Sequence, residues 1–105
     1  MGVNKVILLG NVGSDPRMYY PEAGGGMALF SLATNETIGG QDRTEWHNIV
    51  CTGQQAEYAE KYIRKGTRLY LEGKLRTRSY TDKLHIQRTR TEIYIETFEI
   101  LGRVS

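Results

Sequence analysis

Three segments in the first half of the chain have the patterns of β-strands. Val3–Leu9 is rich in β-branched residues and leucine, and it ends at a glycine-containing turn. Residues 27–35 predict a second strand, and residues 21–26 before them have the composition of a loop. Residues 45–52 alternate, with Ile49 and Cys51 on the face opposite the polar side chains. We therefore predict three strands before residue 53.

The next segment changes to a helical period. Within Gln54–Lys65 the apolar residues fall on one stripe, and Gly66 stands where a helix would stop. The members of the stripe are Ala56, Ala59, Tyr62 and Ile63. We predict one helix here.

Two long strands complete the pattern. Residues 68–80 alternate, with Leu69, Leu71, Gly73 and Leu75 on one face. Residues 81–83 predict a hairpin tip. Residues 84–101 predict a long, bent strand whose second half points Ile93 and Ile95 inward.

This order of elements defines the predicted fold class. Three strands, one helix and two strands are the order of an OB-fold, a five-stranded Greek-key barrel that binds oligonucleotides or oligosaccharides. We expect an all-β protein with one helix, which lies between the third and fourth strands and plugs the barrel end. We expect residues 1–105 to form this one domain. The fold does not by itself fix the function.

The charge is distributed unevenly along the chain. The formal net charge is only +2, but residues 61–90 carry ten basic side chains against Glu72 and Asp82. Such a segment favours a local anion-binding surface. A solvated charged face, without a ligand, is the alternative that charge alone leaves open.

Composition argues against several function classes. The histidines His47 and His85 lie on separate predicted strands, and the sequence shows no paired acids, metal triad or phosphate loop. We therefore expect no catalysis, no metal and no cofactor. The single cysteine, Cys51, cannot form an internal disulfide, which favours a reduced cytoplasmic setting. The longest apolar run, Val6–Leu9, is too short to cross a bilayer, and no secretory signal follows the first Met.

Aromatic and basic residues share predicted faces. Lys74, Arg76, Arg78 and Tyr80 follow one another at a period of two, and Trp46 supplies a second ring from the third strand. Single-stranded nucleic acid needs this combination, because cations track its phosphates and flat rings stack on its unpaired bases. The competing interpretations are a core tryptophan at position 46 and a hairpin-tip tyrosine that only covers its neighbours.

The other tyrosines leave alternatives open. Tyr19 and Tyr20 lie in an early loop or short strand, where either packing or a base contact is possible. Tyr58 and Tyr62 are expected to pack the helix. Tyr70 shares the basic face but lies far from the hairpin tip, so a subunit contact competes with base stacking there.

Several blocks of sequence resemble the bacterial single-stranded DNA-binding protein (SSB) family. They occur in family order and together are highly specific. The blocks are Asn4–Gly13 followed by Asp15-Pro16, Ser31–Thr34, Thr44–His47, Tyr62–Gly66 and Tyr70–Asp82.

The resemblance implies a homotetramer, a dimer of dimers, that wraps single-stranded DNA with little sequence preference in replication, recombination and repair. It implies base stacking on Trp46 and on Tyr80, where the family usually has tryptophan. Two further family aromatics are replaced by Ile38 and Thr52. The resemblance also puts His47 and Tyr70 at subunit contacts.

These considerations give the complete set of expected site residues. The base-stacking candidates are Trp46, Tyr80, Tyr19 and Tyr20. The phosphate-binding candidates are Lys74, Arg76, Arg78 and Lys65, with Arg43, Lys5, Arg88 and Arg90 as a secondary set. The subunit-interface candidates are Val3, Lys5, Ile7, Leu9, His47 and Tyr70, because the apolar edge of the first strand could pair with a second copy.

Two other functions compete with this one. A replication-restart or RNA-binding OB protein would use the same platforms, and an adaptor module would use the basic face for an acidic protein partner. Family members usually continue into a disordered tail with an acidic tip that recruits replication and repair proteins. The sequence stops at Ser105, so we expect such partners only if a tail exists outside this chain.

Overall fold

The computed structural model describes residues 1–21 and 24–103 and contains six strands and one helix in that part of the chain. Residues 22 and 23 of the predicted loop, and the last two residues of the predicted domain, lie outside the described residues. The elements are β1 (Val6–Val12), β2 (Arg17–Tyr19), β3 (Met27–Ile38), β4 (Gln41–Thr52), α1 (Gln54–Tyr62), β5 (Thr67–Thr81) and β6 (Gln87–Arg103).

Five of these strands close into a barrel. β1 pairs with β5 along residues 6–11 and with β3 at residues 11–12, and both pairings are antiparallel. β3 pairs with β4, β4 pairs in parallel with β6, and β6 returns to β5. The short β2 adds to the free side of β3. The ring is an OB-fold with α1 between its third and fourth strands, which confirms the expected fold class.

The core lies inside this ring and under the helix. Ile49, Cys51, Ile93 and Ile95 are all buried, as their alternation predicted. On α1, Ala56 and Ala59 are fully buried, and so is Ile63 just beyond its end. Burying this apolar stripe against the barrel is what holds so short a helix in place, because nine residues are too few for a stable isolated helix.

The structure corrects two details of the helix. It ends at Tyr62 instead of Lys65, because Ile63 takes an extended conformation and the Arg64 guanidinium donates to the carbonyls of Glu60 and Ile63. Tyr62 is exposed, although the stripe was expected to include it. It lies at the margin of the stripe, about 60° around the helix from Ala59.

β5 and β6 continue past the barrel as an arm. Leu69 and Leu71 are fully buried, whereas Leu75, which the alternation placed on the same face, is 46% exposed. The pairing register shifts at Glu72/Gly73, but β6 still pairs with β4 at Ile93 and Tyr94, opposite Leu75 and Lys74. The arm therefore begins beyond Leu75. Gly73 itself has no room for a side chain, because a Cβ there would overlap the carbonyl of Tyr94. In the described residues, no helix is long and apolar enough to cross a membrane.

Candidate nucleic-acid interface

The outer side of β4, β5 and β6 brings the expected aromatic and basic residues onto one surface. Residues that pair across strands point to the same side of a sheet, and side chains alternate along each strand. Tyr94 pairs with Lys74 on one flank and Val50 on the other, which places Trp46 on this side of β4. We call this surface the basic face; its members are Trp46, Lys74, Arg76, Arg78 and Tyr94.

Trp46 lies on the outside of the barrel. Its side chain is 62% exposed, so the core-tryptophan interpretation is wrong. The ring rests over Gly13, and a methyl group there would overlap both the indole and the Ser31 hydroxyl. A glycine at position 13 therefore lets the indole lie flat against the barrel while its other side stays open.

A buried carboxylate holds two arginines on the basic face. Glu92 is only 1% exposed, and both its oxygens accept from the Arg78 guanidinium, at 3.2 and 3.3 Å. Arg90 lies on the other side, with its Nε 3.7 Å from Glu92 and its Nη2 donating to Asn48 at 2.9 Å. The hydrogen bond and charge of Glu92 raise the pKa of Arg78. The paired geometry fixes the direction in which Arg78 points.

The remaining cations of the face are less constrained. The guanidinium of Arg76 lies over the ring of Tyr94, 4.8 Å from its centre, in a cation–π contact. Arg43 is exposed in the β3–β4 hairpin, opposite Glu36. Lys65 is exposed after α1, and its backbone N–H donates to Asp15 at 2.8 Å. Asp15 follows the turn under Trp46, so Lys65 lies at that end of the basic face.

Tyr80 and Arg88 lie opposite each other on the arm. Tyr80 is 40% exposed, so its ring is open to a ligand. Arg88 pairs with Asp82 at 2.8 Å, and this contact, with backbone hydrogen bonds from Ile86 and Leu84, lowers the pKa of Asp82. Arg88 therefore stabilises the hairpin turn and has less capacity left for a phosphate than Arg76.

Lys5 precedes β1, which pairs with β5 as far as Gly73, next to Lys74, and its ammonium is already paired with acids. Its ammonium contacts Glu72 at 2.8 Å and Glu96 at 3.8 Å, and the Tyr70 hydroxyl donates to Glu72 at 2.6 Å. These contacts raise the pKa of Lys5 and lower that of Glu72. Of the two roles expected for Lys5, these ion pairs favour the subunit interface, because they occupy the ammonium that a phosphate would need.

The outer side of β1 and β5 forms a second surface, which we call the β1 face; its members are Lys5, Ile7, Leu9, Tyr70 and Glu72. Ile7 and Leu9 pair with Glu72 and Tyr70 and are 59% and 46% exposed. Val3 precedes the strand and is also exposed. Because β1 meets β3 only at residues 11–12, the other edge of its first half has no strand partner among the described residues. His47 does not join this face, since it lies on β4 and bonds Thr34 at 2.9 Å.

The structure separates Tyr19 from Tyr20. Tyr19 lies on β2, the short strand that was one of the two alternatives for this segment, and is 57% exposed beside the basic face. Tyr20 points toward α1, where its hydroxyl lies 3.4 Å from Glu60. Partial desolvation and the Glu60 charge raise the pKa of Tyr20. The positions where family aromatics are replaced, Ile38 and Thr52, are both exposed.

Three residues of this surface were not singled out from the sequence: Arg17, Glu92 and Tyr94. Tyr94 carried a signal, because it stands between the inward-pointing Ile93 and Ile95 and must therefore point outward. No sequence pattern pointed to Glu92, because its burial depends on arginines from two different strand positions.

Potential metal ligands are scattered through the described residues. No group of three or more potential metal ligands occurs among them. Burial raises the pKa of the Cys51 thiol to about 12, so it stays protonated at neutral pH and is a poor nucleophile.

The closed barrel with an exposed aromatic and cationic sheet face defines an OB-fold of the nucleic-acid-binding type. Residues 3–101 match the model of the single-strand binding protein family, and the chain belongs to that family.

Two known proteins illustrate the similarity. The chain is 51% identical over 109 residues to the single-stranded DNA-binding protein of Bacteroides thetaiotaomicron, covering 97% of this chain and 68% of that protein. It also superposes on the Plasmodium falciparum SSB solved in complex with single-stranded DNA. That match has a TM-score of 0.86 and 33% identity, and it covers 97% of both chains.

Proposed function

We propose that this protein binds single-stranded DNA with little sequence preference and protects it during replication, recombination and repair. The observation that carries the proposal is the basic face, where an exposed indole lies on the same surface as Lys74, Arg76 and Arg78. Membership of the single-strand binding protein family supports it.

The binding mechanism has two parts. Unpaired bases stack on the rings of Trp46 and Tyr80, and each stacked base contributes about 1–3 kcal/mol without regard to its identity. Arg76, Lys74 and Lys65 contact phosphates, and Arg78 does so in an orientation that Glu92 fixes in advance. Such preorganisation reduces the entropy lost when the strand binds.

The proposed activity is binding without catalysis, because the ligand is held by stacking and charge, which need no reacting group. We expect a cytoplasmic location on the nucleoid, where single-stranded intermediates of DNA metabolism arise. No metal or cofactor has a part in this mechanism.

We further propose that the chain assembles into a homotetramer, a dimer of dimers. The unpaired edge of β1 and the exposed Ile7 and Leu9 support this proposal, because free strand edges with apolar side chains pair readily with another chain. Four basic faces on one assembly would raise the effective concentration for a long strand.

A titration of labelled oligo-dT of increasing length, followed by fluorescence anisotropy at two salt concentrations, tests the function. We expect affinity to rise with length and to fall with salt by about 0.7 logarithmic units per neutralised phosphate. Competition with poly-U tests the RNA-binding alternative. Affinity that is independent of salt, or stronger for poly-U than for poly-dT, contradicts the proposal.

A further inference from the structure

A groove of about 490 Å³ adjoins the basic face, between β2–β3 and β5–β6. Its lining combines apolar, aromatic and cationic side chains with the Glu92 carboxylate, which is paired with Arg78; the other lining residues include Arg17, Tyr19, Met27, Leu29 and Tyr94. The volume is within the range of sites that bind small organic groups and is ample for a single nucleobase.

The strand register shows how this groove is built. One row of paired residues crosses five strands in the order Arg17, Leu29, Val50, Tyr94 and Lys74. Because paired residues share a side of the sheet, the row has a cation at each end and apolar or aromatic groups between them. Tyr19 stands next to this row on β2, opposite Met27.

This arrangement matches the chemistry of one nucleotide step. The planar ring of Tyr94 and the exposed ring of Tyr19 offer stacking surfaces, while Met27 and Leu29 supply an apolar floor. Arg17 is exposed and can reach a phosphate at the rim. The Arg76 guanidinium covers one face of the Tyr94 ring, so a base stacks on that face only when the guanidinium moves aside. The guanidinium is itself a planar group on which a base can stack.

The groove is also continuous with the platform at Trp46. Trp46 and Val50 lie on the same side of β4, four residues apart, which is about 13 Å along a strand. A single strand of DNA that stacks a base on Trp46 can therefore continue across the sheet and place a later base in the groove.

We propose that this groove is a second base-binding subsite, in which Tyr94 and Tyr19 hold a nucleobase of the bound strand and Arg17 contacts its phosphate. The inference rests on the proposed function and assigns roles to Tyr94 and Arg17 that the sequence did not suggest. The groove does not select among bases, because its stacking surfaces and apolar floor contact the faces that all bases share.

The test compares Tyr94→Val with the unchanged protein on two ligands of equal length: oligo-dT, and an abasic strand that keeps the phosphates but lacks the bases. We expect Tyr94→Val to raise the Kd for oligo-dT by roughly 5- to 100-fold, the loss of one stacked base. The Kd for the abasic strand should stay within about twofold. Tyr94→Phe, which keeps the ring, should restore most of the affinity for oligo-dT.

Controls separate this inference from the proposed function. Tyr58→Val removes an exposed tyrosine from α1, outside the groove, and should leave both Kd values unchanged. A Tyr94→Val variant that binds oligo-dT normally, or loses affinity equally for both ligands, overturns the inference. If that occurs while Trp46→Ala still weakens binding, only the groove is wrong; if the unchanged protein does not bind oligo-dT, the proposed function is wrong.

Discussion

The basic face and the β1 face contain the same kinds of residues but differ in how charge is balanced. Each is an outer sheet surface with a cation and an exposed aromatic or apolar group. On the β1 face, Lys5 is matched by Glu72 and Glu96. On the basic face, Glu92 is shared between Arg78 and Arg90, while Lys74 and Arg76 add further positive charge.

This difference decides which ligand each surface suits. An excess of cations beside open rings attracts a polyanion that has stacking groups, which is single-stranded nucleic acid. A balanced surface with exposed Ile7 and Leu9 gains more from contact with protein, where apolar area is buried and ion pairs give specificity. The following variants test that division.

The largest expected effect is that of Trp46→Ala. Loss of this stacking platform should weaken binding to oligo-dT by up to about 3 kcal/mol, while assembly is unchanged. Anisotropy of labelled DNA measures the affinity, and sedimentation checks the oligomer. Tyr58→Ala is the control for loss of an exposed ring. Normal affinity in Trp46→Ala would show that bases do not stack there.

Tyr70→Arg tests the β1 face in the same way. It removes the hydroxyl that donates to Glu72 and adds a second cation next to Lys5. We expect it to weaken the oligomer by about 2 kcal/mol, the size of an interface hot spot, or roughly thirtyfold in dissociation constant. Sedimentation over a range of concentrations measures this, and binding of a short oligo-dT should be unchanged. A normal oligomer argues against the interface.

Glu92→Gln changes the charge balance of the basic face with little change in shape. The free energy of unfolding should fall by about 1–3 kcal/mol, because the charge-assisted hydrogen bonds from Arg78 are weakened and the ion pair with Arg90 is lost. The slope of log affinity against log salt concentration should become steeper by about 0.7, because one more cation is available to bind a phosphate.

The matched control is Glu57→Gln, which makes the same charge change on the exposed surface of α1. Chemical denaturation and binding at several salt concentrations measure both effects. An identical salt slope in the two variants would mean that Glu92 does not limit the arginines.

The smallest expected effect is a pH dependence of the β1 face. The pKa of Glu72 is lowered from 4.5 by Lys5 and Tyr70, so its contribution to stability is present above pH 4.5 and is lost as pH falls through the lower folded-state value. Denaturant midpoints of the unchanged protein and Glu72→Gln should differ at neutral pH and converge in acid. A constant difference across that range contradicts the assignment.

Local patterns predicted much of this molecule. Alternation placed Ile49 and Cys51 inward and Trp46 outward, because a strand covered on one side has a strict period of two. The same rule groups Leu75 with Leu69 and Leu71 on one face but does not show that Leu75 is exposed, because exposure depends on where the barrel wall ends. Alternation along one strand does not show at which residue the strand stops packing against the rest of the barrel.

The parts that escaped prediction depend on pairing between distant segments. The sequence left the β2 segment open as a loop or a short strand, because three residues are too few for a periodic signal, and pairing with the edge of β3 decides between the two. The groove likewise needs the register of β2, β3, β4 and β6 together. The helix end at Tyr62 depends on Arg64 reaching back to Glu60, a contact that the stripe of apolar residues does not reveal.

The most direct test of the account uses the fact that Trp46 is the only tryptophan in the chain. Its fluorescence, excited selectively, reports on the proposed platform without labelling. We expect oligo-dT to quench it strongly and added salt to reverse the quenching as the DNA dissociates. Unchanged tryptophan fluorescence in a complex that anisotropy shows to be saturated with oligo-dT would contradict the account.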